Sequence, residues 1–345
     1  MATPAATVSS ASTDSSQAKR RLHVAVLGAG NIAQQHLPVL TAHPGCEVVV
    51  LCDTNSAVCA ATAQRFGLAE TVEQTDSAEA VVRRDDLDAA FVLVSHRATV
   101  AVASQFIAAG IPTFLEKPPG LFSEHTARLV DVQARHGTIA MVGLNRRFYA
   151  SHVAARAAMA EQGPLGTVAV DAHENLSRMT TSRFLPDEIP LMKRRRPWAN
   201  AIHALDLIRY FGGEVAEVEA RRERVHYDFP DAYTATLRFA SGAHGRVAMD
   251  FFGPGSHRFE LRSTSICVRS DSPFMGATLL RRGQPAERLE PDEDDRRFKA
   301  GFWKQDSTFL ASVREGHQPP FPAASVADAY ETMRLIDRIC GDDLR

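Results

Sequence analysis

The chain has 345 residues, is 45% hydrophobic and 23% charged, and carries a formal net charge of -2. This composition is typical of a globular protein with a full core, and the length favours two domains. The small net charge excludes a general attraction to nucleic acid or anionic membranes, and no apolar run is long enough to cross a bilayer.

The first residues and the cysteines indicate the compartment. Residues 1–20 are rich in Ala, Ser and Thr and lack the apolar centre of a secretory signal, which predicts a disordered tail. A transit peptide is the alternative, because acidic residues are scarce there. The cysteines are odd in number and form no CxxC pair, so we expect reduced thiols in a cytoplasmic protein: Cys46, Cys52, Cys59, Cys267 and Cys340.

Residues 21–148 alternate between predicted strands and helices. Helices are predicted over 57–66 and 99–109, between short apolar runs that read as strands. This alternation predicts a doubly wound parallel sheet with helices on both faces, an α/β domain of the Rossmann type. The predicted strands lie at 22–27, 46–53, 87–94, 111–118 and 136–148.

Residues 149–345 have a different character. Turn-flanked, β-rich segments surround one helical stretch at 200–211, and a closing amphipathic helix is predicted over 326–341. We expect an α+β domain with a mostly antiparallel sheet, whose last helix is free to pack back on the first domain. The predicted β segments lie at 163–174, 231–240, 243–252 and 256–263.

A glycine-rich turn follows the first predicted strand. Gly28 allows a tight turn, and Gly30 lets the backbone approach a pyrophosphate at a helix N-terminus. Asn31 and Ile32 complete the turn as candidate cofactor contacts. A plain strand-to-helix turn is the alternative, but the order of strand, turn and helix favours dinucleotide binding.

Asp53 ends the second predicted strand, where such folds carry a carboxylate for the adenosine ribose hydroxyls. A carboxylate repels a 2′-phosphate, and no Arg follows nearby to bind one. The sequence therefore favours NAD over NADP. The alternative role for Asp53 is the N-cap of the helix at 57–66.

The stretch "PTFLEKPPG" at 112–120 ends an apolar run with Glu116 and Lys117, followed by two prolines. Open α/β sheets bind ligands beyond the C-terminal ends of their strands. Pro118 and Pro119 end the ladder and stiffen the exit. We expect the Lys117 ammonium to point into the cofactor cleft.

The motifs "GAGNIA", "EKP", "GLNRRF", "GPLGTV" and "HALDLIRYFGG" occur together from about residue 21 onward. In this order they resemble the Gfo/Idh/MocA (glucose–fructose oxidoreductase, inositol dehydrogenase, rhizopine catabolism) family. The resemblance implies a Rossmann domain, a second antiparallel domain, and NAD(P)-dependent chemistry on a sugar or cyclitol. It also implies a homo-oligomer, a dimer or tetramer, through the open face of the second sheet.

The resemblance also implies roles for individual residues. Lys117 matches the active-site lysine, and Glu116 is expected to contact the cofactor. His203 matches a general acid/base, with proton transfer near neutral pH as its chemistry. Asn145 resembles a cofactor or substrate contact. The alternatives are a surface lysine at 117 and a satisfied structural histidine at 203.

The chain departs from the family pattern at two places. Ala199 stands where an Asp is usual, four residues before His203, so Asn200 and Asp206 become candidate partners of the imidazole. Ser95 and His96 replace a Thr-Pro-Asn turn, and we expect them to keep contact with the cofactor. These departures favour an unusual substrate.

Several side chains are candidates for substrate binding. We assign Arg147, Trp198 and Asn200 to this role. The basic run at 193–196 is either a solvated loop or an anion clamp for a phosphate, as in a nucleotide-linked sugar. The histidines show no metal-ligand spacing, and hydride transfer to NAD needs no metal, so we expect none.

The sequence therefore predicts an NAD-dependent dehydrogenase acting on a secondary alcohol of a sugar, aminosugar or cyclitol. A place in natural-product biosynthesis, with an aminoglycoside-like or nucleotide-sugar substrate, fits the divergent site. Two alternatives stay open. One is a redox-neutral, NAD-dependent sugar lyase or hydrolase, and the other is a non-catalytic NAD-binding sensor.

Overall fold

The computed structural model describes residues 20–179, 186–271 and 276–341. The tail predicted over residues 1–20 lies outside these ranges except for Arg20, which donates to Asp88 at 2.6 Å. All five cysteines are free thiols. Among the described residues, no helix combines the length and the hydropathy needed to cross a bilayer.

The first sheet is parallel throughout, with the strand order β3-β2-β1-β4-β5-β6. The order reverses between β1 and β4, which is where doubly wound sheets open a ligand crevice. Strands β1, β4, β5 and β6 have no exposed residue, as expected for strands that helices cover on both faces, whereas the edge strand β3 is mostly exposed. They are β1 (Leu22–Leu27), β2 (Cys46–Cys52), β3 (Glu73–Thr75), β4 (Ala89–Val92), β5 (Thr113–Glu116) and β6 (Ala140–Gly143).

The helices of this half begin and end at local signals in the sequence. Asn55 caps one helix by accepting from the amides of Ala57 and Val58, and Gly137 ends another at a φ of 68°. The last predicted strand, 136–148, is shorter than expected and passes into a 3-10 turn at Asn145–Phe148. The helices are α1 (Ala33–Ala42), α2 (Ser56–Arg65), α3 (Ala78–Val82), α4 (Thr99–Ala108), α5 (Ser123–His136) and α6 (Ala150–Glu161).

The second sheet has the order β14-β13-β12-β11-β7-β10-β9-β8. Its neighbours are antiparallel except for β7 and β10, which are parallel. Its strands are β7 (Thr167–His173), β8 (Val215–Glu223), β9 (Ala232–Phe239), β10 (His244–Asp250), β11 (His257–Arg262), β12 (Ile266–Ser270), β13 (Ala277–Arg281) and β14 (Glu287–Leu289).

Helices cover one face of the second sheet. A π-helical turn at Pro197–Ala201 leads directly into the buried helix that contacts β7, β10 and β11. Alternate residues of the strands face this helix and are buried, while the others face outward. The helices are α7 (Ile189–Arg194), α8 (Ile202–Gly212), α9 (Glu293–Arg297), α10 (Phe302–Glu315) and α11 (Val326–Cys340).

The last two helices return to the first half of the chain. Helix α10 packs on α1, and its Phe309 contacts Phe91 and Phe114 of the parallel sheet. Helix α11 packs on α5 and β6 as well as on α8 and β8. We retain residues 21–148 and 149–345 as the proposed domains, with α10 and α11 joining them.

Candidate functional site

The glycine turn lies at the C-terminal end of β1. Gly28 has a φ of 98°, and a Cβ there would lie 2.5 Å from the Leu93 carbonyl oxygen of the neighbouring segment, so only glycine fits. A Cβ on Gly30 would meet nothing within 4 Å. The backbone at Gly30 therefore faces open space that a ligand can fill.

That space is a cleft of about 500 Å³ at the ends of β1, β2 and β4. Asn31, Asp53 and Ser95 line it, as predicted for cofactor contacts, and no Lys or Arg is among the described residues around it. An acidic rim without a basic side chain suits unphosphorylated ribose. Ile32 directly follows the turn and is the N-cap residue of helix α1.

The Asp53 carboxylate joins the turn to β2. It accepts from the amide of Ala29 at 2.8 Å and from the amide of Asn55 at 2.8 Å. Asn55 is the N-cap of α2, so the alternative N-cap role of Asp53 is wrong. The side chain stays partly exposed beside the cleft.

The residue after Ser95 departs from the prediction. His96 lines a neighbouring cavity of about 680 Å³ between α4, α5 and α7, and not the cleft beside Gly30. Its Nε2 atom lies 3.6 Å from the Glu188 carboxylate. We therefore do not retain His96 among the proposed contacts of the dinucleotide.

The Glu116 carboxylate points inward, so we do not retain it as a cofactor contact either. Oε2 accepts from the amide of Lys117 at 3.1 Å, and Oε1 lies 3.3 Å from Nε2 of His36. The Nδ1 atom of His36 is 2.8 Å from Asp306. Burial opposes charge on His36, but the two carboxylates outweigh it and raise its pKa to about 9. The charged imidazole thus fixes Glu116 and the strand end that carries Lys117.

Lys117 points away from the parallel sheet towards the second domain, where Nζ donates to the Ala199 carbonyl at 3.2 Å. The pKa of Lys117 is lowered to about 8, first by burial and then by the charges of Arg146, Arg196 and Lys299, against the opposing effect of Glu116. Ammonium and amine are therefore both accessible near neutral pH, as proton transfer requires.

His203 is the second residue of α8 and is 7% exposed. Burial, followed by the charges of Arg146 and Lys117, holds the pKa of its imidazole well below the usual value. Within the described part of the chain, its Nδ1 atom has no hydrogen-bond partner. His203 is thus a neutral, buried imidazole close to Lys117.

The two candidate partners of His203 lie elsewhere. Asp206 accepts from the guanidinium of Arg147 at 2.6 and 2.8 Å and from the Thr332 hydroxyl at 3.1 Å. The Asn200 amide donates to Glu174 at 2.8 Å. Neither residue bonds to the imidazole of His203. Ala199, which replaces the usual Asp, contributes only its backbone carbonyl, and that carbonyl accepts from Lys117.

Sequence reasoning missed Glu174, the carboxylate at the end of β7. It accepts from Nε2 of His257 at 2.9 Å, from the amide of Asn200, and from Nε of Arg196. Burial works against its ionisation, but His257 and Arg196 prevail and lower the pKa of Glu174 to about 2. A charged residue at the end of a strand that packs on helix α8 is the signal that could have found it.

His257 links Glu174 to Arg146. Arg146 donates from Nη1 to Nδ1 of the imidazole at 2.9 Å, because a guanidinium can only donate. Nε2 must then carry the proton that goes to Glu174. Burial lowers the pKa of His257, which fits this neutral tautomer. The chain of bonds places Arg146, Arg196 and Asn200 around Lys117 and His203.

Three predicted ligand contacts are corrected because their side chains are buried and bonded within the protein. Arg147 is 2% exposed and held by Asp206 and by Asp328 at 2.5 Å. Trp198 is fully buried, and its Nε1 donates to a helix α11 carboxylate at 2.7 Å. Asn145 donates to the Ala300 carbonyl at 2.9 Å and so holds the segment before α10.

The four basic side chains of residues 193–196 contact different parts of the structure. Lys193 and Arg194 lie over the rings of Tyr227 and Phe229. Arg195 is fully buried and donates to the Leu121 carbonyl, while Arg196 alone reaches the site. Both readings of the run were wrong, because the four cations form neither one clamp nor one solvated face.

A glycine turn at the switch point of a parallel sheet, with the carboxylate of Asp53 bonded to it from the end of the next strand, places the protein among the dinucleotide-binding Rossmann folds. A family model described as "Oxidoreductase family, NAD-binding Rossmann fold" matches residues 22–144, and the GFO/IDH/MocA C-terminal domain matches residues 198–266. The chain belongs to the GFO/IDH/MocA family, and its Rossmann domain binds NAD. The predicted family, fold class and cofactor are confirmed.

Relatives span nearly the whole chain. A 4-carboxy-2-hydroxymuconate-6-semialdehyde dehydrogenase of Sphingobium sp. is 24% identical over 328 residues, which are 92% of this chain and 98% of that protein. An inositol 2-dehydrogenase of Acidothermus cellulolyticus is 26% identical over 314 residues, 86% of each chain. The crystal structure of a dehydrogenase from Chromobacterium violaceum shares the fold, with a TM-score of 0.80, 22% identity and coverage of 92% of this chain and 94% of that one.

Proposed function

We propose that the protein is an NAD-dependent dehydrogenase that interconverts a secondary alcohol and a ketone on a sugar, aminosugar or cyclitol. The observation that carries this proposal is the pair formed by the half-buried Lys117 and the buried His203, which lie close enough for the charge of the lysine to lower the pKa of the imidazole. Curated relatives named inositol 2-dehydrogenase and D-apiose dehydrogenase support the substrate class.

The turn from Gly28 to Ile32 would hold the pyrophosphate through backbone amides, and Asp53 would bind the ribose hydroxyls. Ser95 flanks the same cleft. The open space above Gly30 and the lack of basic side chains among the described lining residues support NAD over NADP. When bound, NAD would supply the hydride acceptor or donor for the reaction.

Lys117 is the better matched of the two groups for proton transfer. Its pKa of about 8 lets the amine accept the hydroxyl proton during oxidation and the ammonium return it during reduction. His203 stays neutral because its pKa is well below the usual value. Its imidazole would orient the substrate hydroxyl through a hydrogen bond.

The test is an absorbance assay for NADH with cyclitols, sugars, aminosugars and sugar acids, comparing the wild type with Lys117→Ala. We expect the wild type to turn over with NAD. In the variant, kcat should fall about a thousandfold or more, while the affinity for NAD stays within about twofold of the wild type. Lys193→Ala is the matched control, because Lys193 lies on Tyr227 away from the site. Undiminished turnover by Lys117→Ala would contradict the assignment.

The same assay separates the alternatives. A product formed without net NADH would indicate the redox-neutral lyase or hydrolase. Tight NAD binding without any product would indicate the sensor.

We also propose that the chain forms a homo-oligomer through the outer face of the second sheet. Charged side chains of opposite sign alternate at its centre: Asp171 lies 3.4 Å from Arg258 and 3.8 Å from Arg246. A face of this kind can pair with a second copy across a twofold axis.

A further inference from the structure

The Lys117 ammonium is bonded to a backbone oxygen of the second domain. Its Nζ atom donates to the carbonyl of Ala199 at 3.2 Å. Ala199 is the middle residue of the π-helical turn Pro197–Ala201, which leads into helix α8. Turns of this kind are rare and are found frequently at functional sites. The bond connects the strand end that carries Lys117 with the turn that precedes His203.

The side chain of Ala199 packs into the protein interior. It is buried in a small apolar cluster with Leu121 and Met192. An Asp side chain at this position, where Asp is usual, would start among these apolar groups, and a carboxylate is costly to bury there. A carboxylate would also favour the charged lysine more strongly than a neutral carbonyl does. The backbone oxygen thus holds Lys117 and leaves its amine form accessible.

One carboxylate holds this turn on both sides of Ala199. Glu174 directly follows β7, and its amide donates to the Asp250 carbonyl at 2.9 Å, which ties it to the second sheet. Its Oε1 atom accepts from the Asn200 amide at 2.8 Å, and its Oε2 atom accepts from Nε of Arg196. Arg196 directly precedes the turn, and Asn200 is the residue after Ala199. The turn is therefore anchored to the sheet on both flanks of the carbonyl that Lys117 contacts.

The carboxylate of Glu174 is itself fixed by a third donor. Nε2 of His257 donates to Oε1 at 2.9 Å, and Arg146 donates to the other nitrogen of that ring at 2.9 Å. Hydrogen bonds to an ionised group are roughly twice as strong as neutral ones. A nearly buried carboxylate with three such donors is a rigid anchor for the turn.

The orientation of the Lys117 nitrogen decides whether it can exchange a proton with the substrate. The amine has two N–H groups and one lone pair, and the ammonium has three N–H groups. During oxidation the lone pair takes the proton as the substrate O–H bond breaks, and during reduction the ammonium returns that proton. In both forms one N–H group can donate to the Ala199 carbonyl. A fixed acceptor for that group limits the directions in which the lone pair can point.

We propose that Glu174 is a positioning residue for proton transfer by Lys117. It acts through the turn, because it fixes the Ala199 carbonyl to which the lysine donates. The proposal rests on the dehydrogenase function given above and adds to it the group that orients the proton-transferring lysine. Glu174 takes up no proton itself near neutral pH, since His257 and Arg196 overcome the effect of burial and lower its pKa to about 2.

The first experiment measures steady-state oxidation with the fastest of three probes, which are myo-inositol, D-glucose and D-glucuronate. Glu174→Gln keeps the shape of the side chain but replaces one acceptor oxygen by a donor. Asn200→Ala removes one bond to the turn without a change of charge. We expect kcat to fall about tenfold or more in Glu174→Gln and about threefold or more in Asn200→Ala, while KM stays within about twofold.

Both variants should also move the midpoint of the pH profile. A hydrogen bond to the ammonium favours that form, so loosening the Ala199 carbonyl lowers the pKa of Lys117. The midpoint should therefore move to lower pH by about half a unit or more. In Glu174→Gln the unpaired Arg196 acts in the same direction, and Asn200→Ala isolates the effect of the bond. The charged groups that act directly on the lysine stay in place in both variants: Glu116, Arg146, Arg196 and Lys299.

Glu287→Gln is the matched control. Glu287 lies on the edge strand β14 of the same sheet, is exposed, and accepts from Arg281. This variant also removes a carboxylate that is bonded to an arginine. Its kcat, KM and pH midpoint should equal those of the wild type. A loss of kcat in Glu174→Gln and Asn200→Ala without any movement of the midpoint would show a merely structural role and overturn the inference.

The second experiment observes Lys117 without turnover. The full chain is labelled competitively with acetic anhydride at a series of pH values, and mass spectrometry of the peptide that carries Lys117 gives the titration midpoint of its amine. The midpoint should lie near the pKa of about 8 in the wild type and in Glu287→Gln. It should be lower in Glu174→Gln and in Asn200→Ala. If Glu174→Gln does not fold, Asn200→Ala decides, and an unchanged or higher midpoint there overturns the inference.

The two proposals fail in different ways. Turnover that Lys117→Ala abolishes, but that Glu174→Gln and Asn200→Ala keep with an unchanged midpoint, would sustain the dehydrogenase and refute the positioning role. A lower Lys117 midpoint in both variants, without turnover of any substrate, would sustain the link from Glu174 to the lysine and refute the dehydrogenase.

Discussion

Lys117 and His203 show how one site gives two basic side chains different protonation states. His203 is buried and Lys117 is half-buried, and loss of solvent is the first cause that lowers each pKa. Lys117 begins from a high reference value and comes to about 8, whereas His203 begins near neutrality and falls well below it. The lysine is therefore the group that titrates in the working range.

This difference predicts the pH dependence of the reaction. The lowered pKa of Lys117 means that the amine predominates above about pH 8 and the ammonium below it. Accordingly, kcat/KM for alcohol oxidation should rise with pH to a plateau above about 8, and kcat/KM for carbonyl reduction should fall over the same interval. Steady-state rates between pH 6 and 10 measure this.

Lys299→Met provides the control for the pH profile. Removing a positive charge that lowers the pKa of Lys117 should move the midpoint to higher pH. A flat profile, or a shift to lower pH in that variant, would show that another group controls the rate. Lys193→Met should leave the midpoint where it is.

At the residue scale, two side chains that are adjacent in sequence can point to different parts of the structure. Arg146 and Arg147 are adjacent, yet the first reaches His257 at the site and the second is buried against Asp206. A sequence marks both as basic residues after a strand and cannot tell which way the 3-10 turn sends each of them. The same limit applies to Trp198, whose burial depends on helix α11, far along the chain.

At the scale of elements, local patterns predicted what depends on local geometry. The glycine turn, the strand end at Glu116 and helix α8 around His203 all follow from spacing and from strand and helix periodicity. Glu174 and His257 were missed because their contact depends on β7 pairing with β11, and the two residues are 83 positions apart. No short sequence motif predicts which strands pair when they are so far apart in the chain.

The network of His36, Asp306 and Glu116 joins three elements, α1, α10 and β5, through buried charge. Its stability depends on pH with a definite sign. Because the folded pKa of His36 is raised to about 9, its contribution is complete below the unfolded value of about 6.5 and is lost as pH rises through 9.

We therefore expect Asp306→Asn to lower the free energy of unfolding by about 3 kcal/mol at pH 6, because it leaves a buried imidazolium with one partner fewer. The difference from the wild type should shrink between pH 8 and pH 10. Urea denaturation at several pH values measures it. Glu315→Gln, on the same helix but exposed beside His317, should change stability by no more than about 0.5 kcal/mol. An Asp306→Asn deficit that is constant with pH would contradict the charged network.

At the scale of the whole molecule, helices cover only one face of the second sheet. The outer face of strands β7, β10 and β11 has solvent-facing positions occupied by charged and small residues. Eight strands about 4.8 Å apart give a face roughly 34 Å wide. Such a face can provide about the 800 Å² per partner that a stable dimer buries.

The proposed oligomer can be tested at the centre of that face. Arg246 and Arg258 flank Asp171 from the two neighbouring strands, so Arg246→Glu with Arg258→Glu replaces a mixed patch by three negative charges. Repulsion between two copies across a twofold axis should then dissociate the oligomer, while the fold is retained because all three side chains face outward. Light scattering coupled to size-exclusion chromatography should give a multiple of the chain mass for the wild type and the single mass for the double variant. Arg65→Glu, on helix α2 of the other domain, should leave the mass unchanged; a monomeric wild type would refute this interface.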